Sequence, residues 1–442
     1  MSKIIQAFSK FKGGISVPHH KNTKENVTAN IHDPSIVIIP MQQHIGAVCQ
    51  PTVKKKDMVK VGQVIGQSTA YVSAPIHSSV SGKVKAIKPI LLSNGKMCEA
   101  VYIENDGMNT IDPELKPTSV KTKDELLQAA YDSGLVGIGG AGFPLHVKLA
   151  NKENHLIDHL IINGAECEPY ITSDYREMIE YPTRIINGAE RIMKHLGIKK
   201  GIIGIEENKP KAIQVIGDLL EKRTDISSAI EVMSLPVKYP QGAEKMLIYG
   251  ATGRKIGKGE LPGQVGCLVL NVSTVSLFEH YLETGLPLVR KRITVSGDCI
   301  ALPQNVSVPL GTSIKDVIDF CGGFTQSPNK LILGGPMMGI AQYTMDLPIT
   351  KQNNALIALG ESKLLPEESP CIRCGRCVTA CPLSLMPVQI ERAVKMKDAA
   401  MLRRLNASAC MECGCCSYVC PSGRKLVQYM KQSKVLERGA TT

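Results

Sequence analysis

Between residues 118 and 290, short apolar runs alternate with segments whose apolar positions recur at helical spacing. The apolar runs predict strands at residues 159–162, 201–205, 230–235 and 266–272. The segments between them predict helices at residues 174–196, 210–222, 242–249 and 274–282. An earlier helix is predicted from Thr122, which forms a capping box with Glu125, to about Asp132. Regular alternation of strands and helices indicates an open α/β sheet of the Rossmann type.

Residues 35–105 show a different pattern, in which short β-like runs are separated by Gly and Pro. The stretch from residue 53 to 66, followed by residues 72–84, resembles the barrel-sandwich hybrid of lipoyl and biotinyl carrier domains. Those domains present a modified Lys on a hairpin, whereas the connecting segment here contains no Lys. We therefore expect an unmodified structural module, with His44 and His77 in packing or turn positions.

The N-terminal residues 1–30 are polar and basic, and their one distinctive stretch is residues 11–21. Its last three residues, His19, His20 and Lys21, are candidate ligands or charges for a metal or a phosphate. A solvated arm is the simpler interpretation of this segment, and we adopt it as the expectation.

Residues 291–350 predict two or three strands around one helix at residues 313–320. Met337 and Met338 near the end of this region are expected in a core, because Met fills irregular gaps between apolar side chains. The polar, Pro-containing residues 351–369 predict a linker.

Composition narrows the classes of function. Trp is absent and aromatic residues make up 4% of the 442 residues, which argues against an aromatic-lined groove for nucleic acid or sugar. The net charge of +12 first suggests nucleic acid or an anionic membrane. Part of the excess positive charge lies around the cysteine runs described next, where cations stabilise thiolates. Because the positive charge has this other explanation, we predict no nucleic-acid partner. No apolar run reaches the roughly 18–20 residues of a membrane span and no signal-peptide pattern occurs, so we expect a soluble or peripheral protein.

Two cysteine runs near the C-terminus carry the most specific chemistry. Residues 371–382 and 410–421 both follow C-x2-C-x2-C-x3-C-P, the spacing of bacterial two-cluster ferredoxins. In this pattern three thiolates of one run bind one iron–sulfur cube and the fourth binds the other cluster. The ligands of the first cluster are then Cys371, Cys374, Cys377 and Cys420. Those of the second cluster are Cys410, Cys413, Cys416 and Cys381.

Zinc knuckles and disulfides are the alternative interpretations of these runs. Zinc sites rarely use four cysteines in one such run, and the other cysteines are scattered without paired spacing, as in a reducing compartment. Cys415, the extra thiol of the second run, changes neither the spacing nor the ligand count, so we interpret it as a bystander. The motif predicts two [4Fe–4S] clusters.

Two polar loops lie where an α/β sheet binds ligands. Residues 137–144 form a glycine-rich turn, in which backbone N–H groups can approach an anion such as phosphate. Residues 163–169 directly follow a predicted strand and therefore lie at its carboxyl end, the edge where open α/β sheets bind ligands.

These loops carry a resemblance to a known family. Residues 139–144, 163–169, 242–244 and 271–274 resemble the four flavin-site segments of the NADH-oxidising subunit of respiratory complex I. Together with residues 11–21, the carrier-like module and the paired cysteine runs, the chain resembles the C subunits of Rnf ferredoxin–NAD oxidoreductase complexes over about residues 10–430. The resemblance implies a multidomain α/β fold with an arm (1–30), a barrel-sandwich hybrid (31–115), a Rossmann-like FMN/NADH domain (116–290), a β-grasp or SLBB domain (291–350), a linker (351–369) and a two-cluster ferredoxin domain (370–442).

The resemblance also implies the residues of a flavin site. Non-covalent FMN would lie on the loop formed by Gly139, Gly140, Ala141 and Gly142. Asn163 and Glu166 would contact the flavin ring and ribityl chain, and Lys148 would neutralise the phosphate. Asn271 and Thr274 would hold the ribityl or phosphate end. The NADH pocket would be lined by Phe143, Glu168 and Glu244, with Gly242 in the third segment. The second segment departs from the complex I pattern, which has an acidic residue and a Ser where this chain has Gly164, Ala165 and Cys167.

The function implied by the resemblance is hydride exchange between NAD(H) and FMN, followed by transfer of single electrons through the clusters, coupled to cation transport. The implied partners are the other subunits of a membrane-bound complex and a ferredoxin-type iron–sulfur protein, with the chain peripheral on the cytoplasmic face. Two alternatives are a soluble flavin and iron–sulfur reductase similar to cobalamin reductases, and an electron-transfer scaffold with clusters only. Residues 11–21 and the carrier-like module favour the membrane-complex subunit.

Overall fold

The computed structural model describes residues 3–151, 155–223, 229–361 and 367–439. The first strands are β1 (Ile4–Gln6) and β2 (Ala29–Asn30), and each pairs with a sheet of a later domain. Among the described residues, no helix is both long and apolar enough to span a membrane.

The module after β2 consists of two small sheets packed on one core. Its strands are β3 (Ile36–Pro40), β4 (Gln50–Pro51), β5 (Met58–Val59), β6 (Val64–Gln67), β7 (Ile76–His77), β8 (Gly82–Leu91) and β9 (Met97–Asn105). One sheet has the order β3-β9-β8-β5 and the other β4-β6-β7. Alternate side chains such as Val37 and Ile39 face the core, as expected for strands with one buried face. His44 and His77 are also buried, and burial lowers the pKa of His77 to about 3, so both are packing residues as predicted.

The next domain is built on a parallel sheet covered by helices. Its strands are β10 (His159–Gly164), β11 (Lys200–Glu206), β12 (Ile230–Leu235) and β13 (Cys267–Asn271). Its helices are α1 (Lys123–Asp132), α2 (Leu145–Ala150), α3 (Ser173–Glu180), α4 (Pro182–Leu196), α5 (Pro210–Lys222), α6 (Glu244–Thr252) and α7 (Val272–Thr284). The sheet order is β1-β12-β11-β10-β13 with every pairing parallel, which confirms the predicted Rossmann-like sheet.

Burial on both faces explains the continuous apolar runs of this sheet. Leu160 and Ile162 of β10 face one core, and Ile161 between them faces the other. Parallel strands buried on both faces are apolar throughout rather than alternating. The sequence pattern therefore located four of the five strands of this sheet and did not predict β1.

One predicted helix of this domain is interrupted. Residues 174–196 were expected to form one helix, but α3 ends at Glu180 and α4 begins at Pro182. Tyr181 between them has φ −133°, outside the helical range. A Pro lacks the N–H needed inside a helix and disfavours helical geometry at the preceding residue, so it begins a new helix here.

The third domain is a mixed sheet with one helix. It contains β14 (Arg290–Ser296), β15 (Gln304–Pro309), α8 (Ile314–Phe320), β16 (Lys330–Leu333), β17 (Ile340–Ala341) and β18 (Ala355–Leu359), and the sheet order is β17-β16-β18-β14-β15-β2. The prediction that residues 351–369 form a linker is wrong for β18, which is fully buried between β14 and β16. Residues 362–366 of the predicted linker lie outside the described residues.

The C-terminal domain is helical. Its helices are α9 (Arg376–Thr379), α10 (Pro387–Lys395), α11 (Ala399–Arg404), α12 (Cys415–Tyr418) and α13 (Leu426–Gly439). The short helices α9 and α12 lie within the two cysteine runs and pack against each other. Ile390, Leu402 and Met430 form the centre of a separate small core.

The N-terminal strap, defined here as residues 9–24, is not the solvated arm that the sequence predicted. Its Gly14 N–H donates to Ala380 O in the cluster domain, and Ile15 exchanges two backbone hydrogen bonds with Tyr239. Further along, the backbone oxygen of His19 accepts from Tyr170 N. The His20 ring stacks on the Tyr170 ring with centroids 4.7 Å apart. The strap therefore joins the Rossmann-like domain to the cluster domain.

Candidate functional site

The order of the parallel sheet reverses at β10, and we call the edge formed by the carboxyl ends of β10 and β13 the crevice. From β10 the chain proceeds to β11 and β12 on one side, and β13 then pairs with the opposite side of β10. In open α/β sheets, ligands bind at such a reversal of strand order. Asn163, the last residue but one of β10, and Asn271, the last residue of β13, are direct register partners at this point.

Each of these asparagines fixes a loop at the crevice. The side chain of Asn163 donates to Gly242 O at 2.8 Å and accepts from Ala165 N at 3.2 Å. The side-chain oxygen of Asn271 accepts from the N–H groups of Ser273 and Thr274, which makes it the N-cap of α7. These bonds satisfy loop and helix-end groups that would otherwise lack a partner.

The glycine-rich loop is held at the same crevice by three domains. Thr274 Oγ1 accepts from Ile138 N at 3.2 Å, Gly139 N donates to Gln352 O, and Gly142 O accepts from Ile45 N. The φ angles of Gly139 and Gly142 are both +70°, a conformation that favours glycine. A Cβ on Gly140 would meet no atom within 4 Å, and Gly139, Gly140 and Ala141 are exposed. The loop is thus rigidly supported at both ends while its tip is open to a ligand.

Phe143, Lys148 and Glu244 are the remaining predicted residues near the glycine-rich loop in sequence or on a facing helix. Phe143 follows it in the chain and is 36% exposed. Lys148 in α2 forms a 2.8 Å ion pair with Glu244, the first residue of α6, and both side chains remain partly exposed. The resemblance implied separate ligands for these two charges, the flavin phosphate for Lys148 and NADH for Glu244, whereas in the structure they pair with each other.

Glu166 lies in the loop of residues 163–169, and its side chain caps the start of helix α3. Its carboxylate, 2% exposed, accepts from the N–H groups of Asp174 and Tyr175 at the start of α3. Burial raises the pKa of Glu166, and Lys21 at 4.0 Å opposes this rise. Asp174 in turn accepts from Asn271 Nδ2 at 2.8 Å and Ser273 Oγ at 2.6 Å. The sequence analysis did not identify Asp174 as a residue of the site. A single carboxylate on a predicted helix forms no spacing pattern that would distinguish it from a surface charge.

Glu168 has a contact different from the one that the resemblance implied. Its carboxylate accepts from the N–H groups of Met337 and Met338 in the third domain, at 3.1 and 2.9 Å. A Cβ on Gly335 would clash with this carboxylate, so glycine is required there. Burial raises the pKa of Glu168 to about 7. Glu168 links domains rather than projecting freely into a nucleotide pocket.

The cysteines of the second cluster converge on one cavity. It is lined by the four predicted ligands of this cluster, Cys381, Cys410, Cys413 and Cys416, by Cys415, and by apolar side chains such as Leu385 and Met430. Among the described residues, no three His, Cys, Asp or Glu side chains are arranged around a single metal ion. Four of the five cysteines around this cavity are those of the predicted ligand set, and four thiolates are what an iron–sulfur cube requires.

The cysteines of the first cluster lie nearer the surface. Cys371 and Cys374 are exposed. Burial raises the pKa of Cys377, and the neighbouring Cys420 raises it further, which places a thiol of the second run beside the first run. The crossed fourth ligands that the motif predicts are therefore both compatible with the fold.

Cys415 is fully buried and points toward Cys413 rather than toward solvent. Tyr239, in the segment before Gly242, donates its hydroxyl to Cys413 O at 2.8 Å. The second cysteine run thus packs directly on the domain that carries the crevice.

Four protein-family models match the chain. They are the RnfC barrel sandwich hybrid domain (residues 9–108), the Nuo51 FMN-binding domain (130–278), the SLBB domain (292–341) and the 4Fe-4S dicluster domain (363–421). Their order confirms the fold class and the cofactor classes predicted from the sequence.

Two curated proteins are similar over most of their length. The chain is 43% identical over 385 residues to the C subunit of the Na(+)-translocating ferredoxin:NAD(+) oxidoreductase complex of Acetobacterium woodii, covering 86% of each chain. It is 44% identical over 438 residues to the C subunit of the proton-translocating ferredoxin:NAD(+) oxidoreductase complex of Clostridium ljungdahlii, covering 97% of this chain and 94% of that protein.

One solved structure shares the fold at low identity. A chain of the NAD+-reducing [NiFe]-hydrogenase in the air-oxidized state superposes with a TM-score of 0.53 and 19% identity, covering 73% of this chain and 64% of that chain. The fold of this chain is therefore also similar to that of a protein whose structure was determined by crystallography.

Proposed function

The chain belongs to the family of C subunits of ion-translocating ferredoxin:NAD+ oxidoreductase complexes, and we propose that it is the subunit that exchanges electrons with NAD(H). The observation that carries this proposal is the glycine-rich loop at the reversal of strand order, on a domain packed against the second cysteine run. FMN, when bound, supplies the conversion between a two-electron hydride and the single electrons that iron–sulfur clusters accept.

The FMN site proposed for this chain is the crevice described above. The open loop tip at Gly139, Gly140 and Ala141 would hold the flavin nucleotide, with Gly142 closing the turn. Thr274 supports this loop, and Asn163, Glu166 and Asn271 set the backbone of the facing loops. The partly exposed pair Lys148 and Glu244, together with Phe143 and Gly242, borders the crevice where NAD(H) would enter. Glu168 is assigned instead to the junction with the third domain.

The two cluster sites differ in position, which gives the electron path a direction within the chain. The second cluster, held by Cys410, Cys413, Cys416 and Cys381, would lie against Tyr239 of the nucleotide-binding domain. The first cluster, held by Cys371, Cys374, Cys377 and Cys420, would lie nearer the surface. Electrons from NADH would reach the second cluster before the first.

The surface around the first run is suited to an electron-transfer partner. Ile372 is 67% exposed, and Arg373 and Arg376 beside it are exposed cations. An apolar residue with flanking cations fits an acidic iron–sulfur protein, since complementary charge speeds encounter and sets orientation. We propose that the other subunits of the membrane complex dock here and that the chain lies on the cytoplasmic face of the membrane.

This placement predicts that protein contacts, not lipid, attach the chain to the membrane. We expect high salt without detergent to release at least part of the protein from membranes, because salt screens contacts between exposed charges. The purified chain should bind protein-free anionic liposomes weakly at physiological ionic strength, as measured by sedimentation. Tight, salt-resistant binding to such liposomes would rule out attachment through protein alone.

The cofactor content tests the proposal at its simplest level. After anaerobic purification we expect about one FMN and about eight irons with eight acid-labile sulfides per chain. Flavin release by acid, without proteolysis, would show that the FMN is non-covalent. A chain with full iron and no affinity for FMN would support the cluster-only scaffold instead.

A further inference from the structure

The ammonium group of Lys21 is buried beneath the loop of residues 163–171. It donates to the backbone oxygens of Glu166 and Glu168 at 2.8 Å each and to that of Ile171 at 2.5 Å. Only 12% of the side chain is exposed. An ammonium group has three protons, and all three are used on this one loop.

The loop has a backbone shape that requires such a donor. Glu166 and Tyr170 have φ angles of +47° and +68°, which are uncommon for residues other than glycine. This conformation turns several carbonyl groups inward, where an oxygen without a donor is costly. Lys209 approaches the same loop and donates to Ala165 O at 2.6 Å. Two buried cations from distant parts of the sequence therefore hold the carbonyl groups of this loop.

A continuous polar network leads from Lys21 to the crevice. The carboxylate of Glu166, 4.0 Å from the Lys21 ammonium, accepts from Asp174 N. The side chain of Asp174 accepts from Asn271 and Ser273 on the other side of the strand reversal. Lys21 is thus connected both to the loop of residues 163–169 and to the start of α7 at Asn271 and Ser273.

Charge gives Lys21 a second role in this network. Lys209 forms an ion pair with Glu206 at 3.2 Å, whereas Lys21 lies beside Glu166. Lys21 provides a positive charge beside the two neighbouring carboxylates of Glu166 and Asp174. Without Lys21 this positive charge would be missing. Buried like charges destabilise each other and repel an anionic ligand nearby.

We propose that Lys21 is a positioning residue of the flavin site, which holds the loop of residues 163–171 in its binding shape and offsets the acidic network behind it. This inference rests on the function proposed above. The strap that carries Lys21 also contacts the cluster domain at Gly14. The same segment therefore holds the loop of residues 163–171 and contacts the cluster domain.

Replacing Lys21 with Met tests the proposal, because Met keeps the length of the side chain and removes both its charge and its donors. We expect the FMN dissociation constant, measured by fluorescence titration of flavin-depleted protein, to rise about tenfold or more. The midpoint potential of the bound flavin should become more negative, because a nearby cation stabilises the reduced, more negative flavin. The iron content should remain at about eight per chain.

Two further variants make the result specific. Lys24→Met removes an exposed cation from the same strap and should leave the FMN dissociation constant and the flavin potential unchanged. Lys21→Arg keeps the charge but not the three-way donor geometry, so we expect a flavin potential near that of the unaltered chain and weaker FMN binding. If Lys21→Met loses its iron as well, Lys21→Arg supplies the decisive measurement.

Wild-type affinity and potential in Lys21→Met with full iron would overturn the proposal, as would equal effects of Lys24→Met. In Lys21→Arg, a potential shifted as far as in Lys21→Met, or FMN binding as tight as in the unaltered chain, would overturn it too. Failure of the unaltered chain to bind FMN at all would instead contradict the proposed function, so the two failures are distinguishable.

Discussion

Replacing Gly140 with Asp is expected to abolish FMN binding while the clusters remain. A Cβ at this position meets no atom within 4 Å and its φ is not in the left-handed region, so the fold has room for the larger residue. The side chain would extend into the open tip of the loop, where the flavin nucleotide should bind. Two like charges about 4 Å apart near a protein surface repel by about 4 kcal/mol, which corresponds to roughly a thousandfold in affinity. Flavin and iron analysis of the purified variant measures both expected results.

The Gly140→Asn variant, whose side chain has nearly the same shape as that of Asp, separates the effect of charge on FMN binding from the effect of side-chain volume. It occupies the same space without the carboxylate, so we expect FMN binding between that of the unaltered chain and that of Gly140→Asp. Iron at about eight per chain serves as the check on folding in both variants. Stoichiometric FMN in Gly140→Asp would remove the flavin site from this loop.

Replacing Cys420 with Ala is expected to damage the first cluster although Cys420 belongs to the second cysteine run. The neighbouring positions of Cys377 and Cys420 support this crossed ligand set. Loss of one thiolate from an exposed cluster site should lower the iron content from about eight to about four. The signal from two interacting spin systems, seen by electron paramagnetic resonance on reduction, should become that of one isolated cluster.

Two other cysteine variants serve as counterparts. Cys381→Ala should damage the second cluster, because Cys381 lines the cavity of the second run. Cys415→Ala should keep both clusters, because Cys415 is not part of either ligand set. Selective loss of the second-run cluster in Cys420→Ala would mean that the ligand sets are not crossed.

The parts that the sequence predicted well are those in which one local pattern has one physical cause. Cysteine spacing is determined by the geometry of a cluster and remains visible in any fold. Apolar runs such as residues 159–162 reveal strands because a parallel sheet is buried on both faces. The predicted strand end at residue 162 was sufficient to place Asn163 near the carboxyl end of β10.

The parts that the sequence did not reveal depend on contacts between distant segments. Lys21 was named only as one of three candidate ligands or charges in an arm expected to be solvated. Its partners are backbone oxygens about 145 to 150 residues away, which leave no spacing pattern. Strand β18 was predicted as part of a linker because five apolar residues between polar segments identify neither a strand nor its partners. Glu168 was assigned to a ligand pocket by resemblance, and only the fold brings Met337 and Met338 to its carboxylate.

The central claim, that NADH delivers electrons to an FMN at this crevice, is tested most directly by anaerobic bleaching. The purified chain carrying about one FMN should lose its flavin absorbance when NADH is added, because hydride transfer reduces the flavin ring. Gly140→Asp, with the same iron content and no flavin, should show no such change. Flavin absorbance that survives excess NADH in the unaltered chain, or equal bleaching in Gly140→Asp, would contradict the account.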